Sequence, residues 1–315
     1  MNATRPAVTI VGSANMDTVF TVARIPQPGE TLLAESAARY PGGKGLNQAV
    51  AAARAGALTT FVGAVGSDDN GAALTTTMVE AGIGIDRLRR SEEHGTGQAF
   101  IVVDGSGENT IIVASGANAS VTELTGEERA HLEHSAVVLM QLELSLAVVE
   151  EAAREAHYAS ATVILNAAPA RILPASLVAE LDLLIVNEHE ACIVSGIDDL
   201  GAASAALASQ VPRLVVTLGA AGSVLWEGGT ELARVPSRTV TAVDTTGAGD
   251  TFCGALAAAL AEGRPFEDAA AFASVAASLS VQKLGAVPSI PTRAHIEAAR
   301  LETAQLEHPQ LEATQ

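Results

Sequence analysis

The 315-residue sequence predicts an α/β sandwich, with a mainly parallel sheet between helices on both faces. Apolar segments of strand character alternate with amphipathic or alanine-rich segments along most of the chain, the pattern of a parallel sheet with crossover helices. A chain of this length can also bury a large core, as one big domain or one with a small appendage. Glycine-containing turns follow several of the predicted strands, where parallel sheets collect their ligands.

In chain order, 7–11 (AVTIV) reads as a strand and 45–55 (GLNQAVAAARA) as a helix, followed by strand 60–65 and helix 71–81. Strand 136–139 precedes helix 147–157, and strand 162–165 leads to strand 183–186 and helix 188–195. Helix 202–209, strand 214–217 and the alanine-rich helices 247–262 and 266–280 complete the series. Two stretches break the alternation, 18–38 and 98–114. In the second, Asp104-Gly105 and Ser106-Gly107 are hairpin signals between runs that contain Phe100, Ile101, Ile111 and Ile112. These pieces form either a small separate sheet or an edge hairpin of the large one. Residues 1–6 and the polar tail after about Thr303 read as loose ends, and the chain shows no internal repeat.

Composition narrows the function. A net charge of -18 argues against nucleic acid, which requires a concentrated basic face. The two cysteines, Cys192 and Cys253, lack metal-ligand spacing and read as core residues. No uninterrupted run of eighteen apolar residues and no leader-like start occur, so no membrane span is expected and a cytoplasmic location is. Lysine occurs only at Lys44 and Lys283, so an anionic ligand must find most of its positive potential in backbone amides, a metal ion and a few placed cations.

Residues 244–250 read Asp-Thr-Thr-Gly-Ala-Gly-Asp and run into a helix. Gly247, Ala248 and Gly249 carry almost no side chain, so their N–H groups can approach a ligand where the helix dipole adds partial positive charge. Asp250 is then a carboxylate beside an anion hole, which suggests phosphoryl transfer to a hydroxyl with Asp250 as base. The other reading is an ordinary helix N-cap. No GxxxxGK[ST] pattern is present, so the site is not of the Walker type.

The same chain contains GSANMD (12–17), PGE (28–30), GGKGLNQA (42–49), GENTII (107–112), QLE (141–143), NEHE (187–190) and TLGAAG (217–222). In this order and spacing they resemble the ribokinase (PfkB-type) family of carbohydrate kinases over nearly the whole chain, with ribokinases the nearest branch. Asn15 and Asp17 flank Met16, so an extended segment puts both polar side chains on one side, and Asp17 can accept from two adjacent hydroxyls. Gly42 and Gly43 let backbone approach a sugar, Asn47 opens a helix, and Glu143 follows an apolar strand. Taken singly, Asn15 reads equally as a turn cap, Asn47 as a surface residue and Glu143 as a helix-start acid. The resemblance implies ribose-binding positions at Asn15, Met16, Asp17, Gly43, Lys44, Gly45, Leu46, Asn47, Glu143 and Asp250. Many relatives carry alanine where Leu46 stands; bulk there directed into the pocket would alter the choice of sugar.

On the nucleotide side the resemblance implies Asn187, Thr217, Leu218, Gly219, Ala220, Ala221, Gly222, Gly249 and Ser274, with Glu190 reaching magnesium through water. His189 reads as a solvated helix residue. A potassium site is implied at Asp244, Thr246, Ser280, Lys283, Gly285 and Ser289, where a helix end and a Gly- and Pro-containing turn leave carbonyls outside helical hydrogen bonds. An ordinary helix C-terminus is the other reading of that stretch. The resemblance further implies one ribokinase-like domain spanning 1–315, a small β lid from about 18–38 and 97–115, and a homodimer paired through that lid. The expected reaction transfers the ATP γ-phosphoryl group to a primary hydroxyl, with D-ribose as acceptor. Another pentose, deoxyribose, a ketohexose derivative, a nucleoside, or a non-catalytic sugar-binding regulator stays open.

Overall fold

The computed structural model describes residues 7–105 and 108–307. The strands are β1 (Ala7–Val11), β2 (Asn15–Val22), β3 (Ser36–Gly42), β4 (Leu58–Gly66), β5 (Leu88–Ser91), β6 (Gly97–Asp104), β7 (Asn109–Ala114), β8 (Val137–Met140), β9 (Thr162–Asn166), β10 (Leu183–Asn187), β11 (Arg213–Thr217), β12 (Ser223–Glu227) and β13 (Thr230–Val235). The helices are α1 (Lys44–Ala55), α2 (Asp69–Glu80), α3 (Gly126–Leu132), α4 (Leu146–Tyr158), α5 (Ala175–Val178), α6 (Glu188–Ser195), α7 (Leu200–Ala208), α8 (Ala248–Ala261), α9 (Phe266–Ser280), α10 (Ala286–Ser289) and α11 (Arg293–Glu307).

A large sheet runs β13-β12-β11-β10-β9-β8-β1-β4-β5. From β11 to β5 neighbouring strands are parallel, while β12 and β13 add an antiparallel edge. Parallel strands buried on both faces read as continuous apolar runs, as in Leu183-Leu-Ile-Val. One face packs on α1, α2, α8, α9 and α11, with Leu46, Leu74, Leu256, Phe272 and Ile296 in a continuous apolar layer. The opposite face packs on α3 to α7 through Leu132, Val149, Leu177, Ala191 and Leu207.

The stretches that interrupt the alternation form a second sheet, ordered β3-β2-β6-β7, so the hairpin does not belong to an edge of the large sheet. This sheet begins at Asn15 and reaches Gly42, so it is longer at both ends than the 18–38 stretch suggested. Strands β6 and β7 pair antiparallel from Gln98↔Ala114 to Val103↔Asn109; the expected turn residues Ser106 and Gly107 lie outside the described residues, as do 1–6 and 308–315.

Sequence reasoning missed β5, β12, β13, α3, α5, α10 and α11. Helix α11 continues through Glu307, so the chain is helical past the Thr303 at which a loose tail was expected. Helices α2 and α7 start two residues before expectation, because Asp68 and Asp199 cap them by accepting from the N–H groups of Gly71 and Ala202. Among the described residues no single helix is long and apolar enough to cross a membrane. Cys253 is buried as expected, whereas Cys192 is only half-buried and its thiol donates to the Asp198 carbonyl.

Candidate active site

The turn that opens α8 lies against α1. Gly247 adopts the left-handed region with φ 74, and a Cβ there would sit 2.9 Å from the Ala286 Cβ, so glycine is required twice over. Gly249 differs, since a Cβ there would meet nothing within 4 Å. Gly249 instead lines open cavity space. The Ala248 N–H already donates to the Thr245 carbonyl at 3.2 Å, and the Thr251 N–H to the Gly247 carbonyl at 2.8 Å.

Asp250 follows in the first turn of α8 and is 7% exposed. Its side chain caps no backbone N–H; instead Oδ2 accepts from Asn47 Nδ2 at 3.0 Å and Oδ1 from Gln48 Nε2 at 2.9 Å. The N-cap reading therefore fails: the carboxylate is held by side chains from α1. Gln48 lay inside a recognised motif yet was given no role, because its partner stands 202 residues away in the chain.

Lys44 projects into the same region, and the nearby Asp250 carboxylate holds its ammonium above the ordinary range against the effect of burial, with Glu143 and Glu190 contributing. Glu143 is half-buried, accepting from the Lys44 N–H at 3.1 Å and from the Ser13 hydroxyl. Asp17 stands on the small-sheet side. Burial raises its pKa to about 7, helped by the charges of Glu143 and Asp250, and its Oδ1 is buried without a hydrogen-bond partner. Burying an unpaired carboxylate oxygen is costly, so this atom is poised for a donor from outside the protein.

Asn15 and Asp17 share one face of β2, as alternation requires, and Asn15 Oδ1 accepts from Asn118 Nδ2 at 2.8 Å. Asn118 also takes the Ala14 N–H at 3.0 Å and donates to the Ala14 carbonyl at 3.2 Å; no motif marked it. Met16 points the other way into the hydrophobic layer and is 5% exposed, so its side chain does not join the polar pair. Leu46 is likewise fully buried in that layer, which corrects the idea that its bulk enters a sugar pocket. Gly43 and Gly45 of GGKG also serve the packing of the protein itself. A Cβ at Gly43 would lie 2.8 Å from the Asn15 N, and one at Gly45 2.5 Å from the Ser13 N, so they let α1 start against the β1–β2 turn.

Two cavities meet at this turn. One, of about 210 Å³, is lined by Lys44, Asn187, Glu190, Thr217, Gly249 and Asp250 among others. The second, of about 420 Å³, is lined by Gly219, Ala220, Gly222, Arg238, Phe252 and Ser274 among others, and Thr217 and Gly249 border both. Leu218 and Ala221 complete the turn between β11 and β12, where the Leu218 N–H donates to the Gly222 carbonyl at 2.7 Å. Asn187 and Glu190 form a reciprocal cap on α6, each side chain accepting from the other's N–H at 2.8 Å. Glu190 is half-buried, and that burial raises its pKa against the lowering effect of the Asn187 N–H and the Lys44 charge. His189 is exposed, in keeping with its reading as a solvated residue.

Behind the turn, the N–H groups of Val243 and Asp244 both donate to the Val281 carbonyl at 2.7 and 3.1 Å, and Asp244 accepts from the N–H groups of Thr246 and Gly285 at 2.9 and 2.8 Å. Burial opposes ionisation of Asp244, but these hydrogen bonds hold its pKa below the ordinary value. This seam joins Asp244 to Thr246 and Gly285, while the Ser280 and Ser289 hydroxyls donate to the Ala277 and Ala286 carbonyls at 2.9 and 2.7 Å and Lys283 is exposed.

The family model described as pfkB family carbohydrate kinase matches residues 5–293. The chain is 40% identical to the ribokinase of Haemophilus influenzae, over 92% of this chain and 96% of that one. It is 41% identical to the ribokinase of Bacillus subtilis, over 92% and 98%. Among solved structures it resembles Arabidopsis thaliana ribokinase complexed with ribose and ATP, with a TM-score of 0.87 and 32% identity, covering 94% of this chain and 98% of the other.

Proposed function

This chain belongs to the pfkB family of carbohydrate kinases, and from that premise we propose that it transfers the γ-phosphoryl group of ATP to the 5-hydroxyl of D-ribose, giving ADP and D-ribose 5-phosphate. The observation that carries the reading is Asp250: a buried carboxylate, aimed by two amide donors at the amino end of α8, where two cavities join. The ribose and ATP bound by the Arabidopsis relative support the same pair of substrates here.

Asn15, Asp17, Gly43, Asn47 and Glu143 surround the sugar hydroxyls, with the unpartnered Asp17 Oδ1 and the buried, unpartnered Asn47 Oδ1 each accepting one. The adenosine end of ATP occupies the larger cavity past Ser274, and its phosphates pass Thr217 and Gly249 toward Lys44 and Asn187. As the bond from O5 to the γ-phosphorus forms and the β–γ bridging bond breaks, Asp250 receives the hydroxyl proton. The amides of Gly247, Ala248 and Gly249, with the Lys44 ammonium, stabilise charge on the γ-phosphoryl oxygens. Ala248 exchanges its bond to Thr245 for this role.

A magnesium ion accompanying ATP supplies neutralisation of the phosphate charge. Glu190 is the residue that would reach such an ion, through one of the waters that magnesium keeps. Leu46, directed into the core, leaves the sugar side unobstructed. A potassium ion at the Asp244–Ser289 seam would order the loop leading to Gly247; the contacts of Asp244 with Thr246 and Gly285 support this by bringing both halves together. The small sheet closes over the sugar and pairs two copies in the cytoplasm, a role supported by exposed Ile111, Ile112 and Val113 on β7.

The deciding measurement is ADP release across pentoses, deoxyribose, hexoses and nucleosides with magnesium present. The highest kcat/KM is expected with D-ribose. A nucleoside or deoxyribose preferred over ribose would overturn the substrate, and no release with any acceptor would overturn the kinase reading.

A further inference from the structure

Gln48 and Gln141 form a buried amide relay behind Asp250. Both are 0% exposed, one on α1 and the other just past β8. The Gln48 NH₂ group divides its two hydrogens between Asp250 Oδ1 at 2.9 Å and Asn166 Oδ1 at 3.1 Å. Its carbonyl oxygen accepts from Gln141 Nε2 at 2.6 Å. Asn166 is oriented in turn by donating its own Nδ2 to the Ile185 carbonyl at 3.3 Å.

A primary amide has two orientations that fill the same volume and differ only in which end donates. Turned over, Gln48 would set its NH₂ against the NH₂ of Gln141 and its carbonyl against both Asp250 and Asn166. Asp250 and Asn166 demand the NH₂ end of Gln48, and Gln141 completes the set as the donor that satisfies and anchors its carbonyl end. It does so at a penalty to itself, since Gln141 Oε1 is buried without a partner. Leucine or methionine would fill that space without an orphaned acceptor, so the amide is retained for what its nitrogen does. Gly12 makes room for it: a Cβ at Gly12 would collide with Gln141 Oε1.

We propose that Gln141 is a positioning residue for phosphoryl transfer, acting only through Gln48 to hold a hydrogen-bond donor on Asp250. This rests on Asp250 as the base. Gln48 and Asn47 together fix the direction of the carboxylate, and Gln141 anchors the far end of one of these two donors. Without it the Gln48 carbonyl is a buried acceptor that has lost its donor, and the side chain shifts to recover one, drawing its NH₂ away from the carboxylate.

The test is a cycle of Gln141→Met, Gln48→Met and the double variant, read as kcat and as KM for each substrate. Because misplacement of a reacting group costs up to about a hundredfold in rate, Gln141→Met should lower kcat by about tenfold or more while both KM values change less than about twofold. Adding Gln141→Met to Gln48→Met should cost no further kcat, because the residue through which it acts is already gone. Unchanged kcat in Gln141→Met, or losses that multiply in the double variant, would overturn the proposal. Should Gln141→Met fail to fold, Gln141→Leu removes the same donor with another apolar shape, and the same split is required of it. Asp250→Asn run alongside separates the two readings: normal kcat there removes the base itself, whereas a dead Asp250→Asn with an unaffected Gln141→Met removes only the relay.

Discussion

Asp250 is a buried carboxylate and Asp17 a half-buried one, and their surroundings give them different tasks. Asp250 has an amide donor on each oxygen, whereas Asp17 has one oxygen buried with no partner. Replacing Asp250 with Asn should lower kcat by at least about a hundredfold with ATP binding retained, the usual loss for a missing general base; steady-state rates and nucleotide titration check it. For Asp17 the raised pKa of about 7 fixes a pH dependence. The unfolded chain ionises this group near its ordinary value of 3.8, so its contribution to stability is complete below that pH and is lost as pH rises through about 7. Without sugar, Asp17→Asn should gain stability relative to the parent between pH 5 and 8, by up to about 3 kcal/mol. Urea midpoints at the two pH values measure this, and parallel curves for the two proteins would refute it. With sugar the sign reverses: accepting from hydroxyls favours the ionised form, so KM for ribose should rise below pH 7 while KM for ATP changes little.

At the scale of elements, the site depends on how closely α8 approaches α1. Gly254 on α8 makes that approach possible, since a Cβ there would stand 2.6 Å from the Ala51 Cβ and 2.9 Å from the Ala52 N. Gly254→Ala should destabilise the protein by about 1–3 kcal/mol, as overpacking does, and lower kcat by shifting Asp250 relative to Asn47 and Gln48. Thermal melts and kinetics together check this, and a stable variant with lost activity would also fit the displacement. A variant normal in both would show that the two helices can part without consequence. The seam behind the turn is a second element-scale device. Activity should rise when potassium replaces sodium at constant ionic strength, and Asp244→Ala should abolish the response; equal rates in the two salts would remove the cation site.

For the whole molecule, the small sheet is the feature with unfinished packing. All six residues of β7 are exposed, Ile112 at 66%, and a four-stranded sheet with apolar residues open to water invites pairing. Sedimentation at micromolar concentration should give a dimer, and Ile112→Asp should shift it to monomer. A parent protein that sediments as an active monomer would end this reading. The acidity of the chain, with a net charge of -18, places special weight on Lys44 as the cation of the cavity that Asp250 borders.

The sequence by itself determined the alternating α/β pattern and the glycine turn that opens α8, and it singled out Asp17, Asn47, Glu143 and Asp250, which the fold brings near one another. Each of these is written in local order: apolar runs of strand length, small residues at a helix start, polar residues at strand ends. Tertiary structure decided what local order cannot carry. Strands β12 and β13 and the short β5 are held by pairing at the edges of the large sheet, and capping aspartates settled where α2 and α7 begin. Only the packing of α1 on α8 turned Asp250 from a possible helix cap into a carboxylate held by side chains, and only the two faces of β2 and α1 sent Met16 and Leu46 into the core. Asn118, Gln48 and Gln141 passed unnoticed because a hydrogen bond between residues 103, 202 or 93 positions apart leaves no trace in spacing. Such contacts come into being when the layers close, since a buried amide must find its partner wherever the fold brings one.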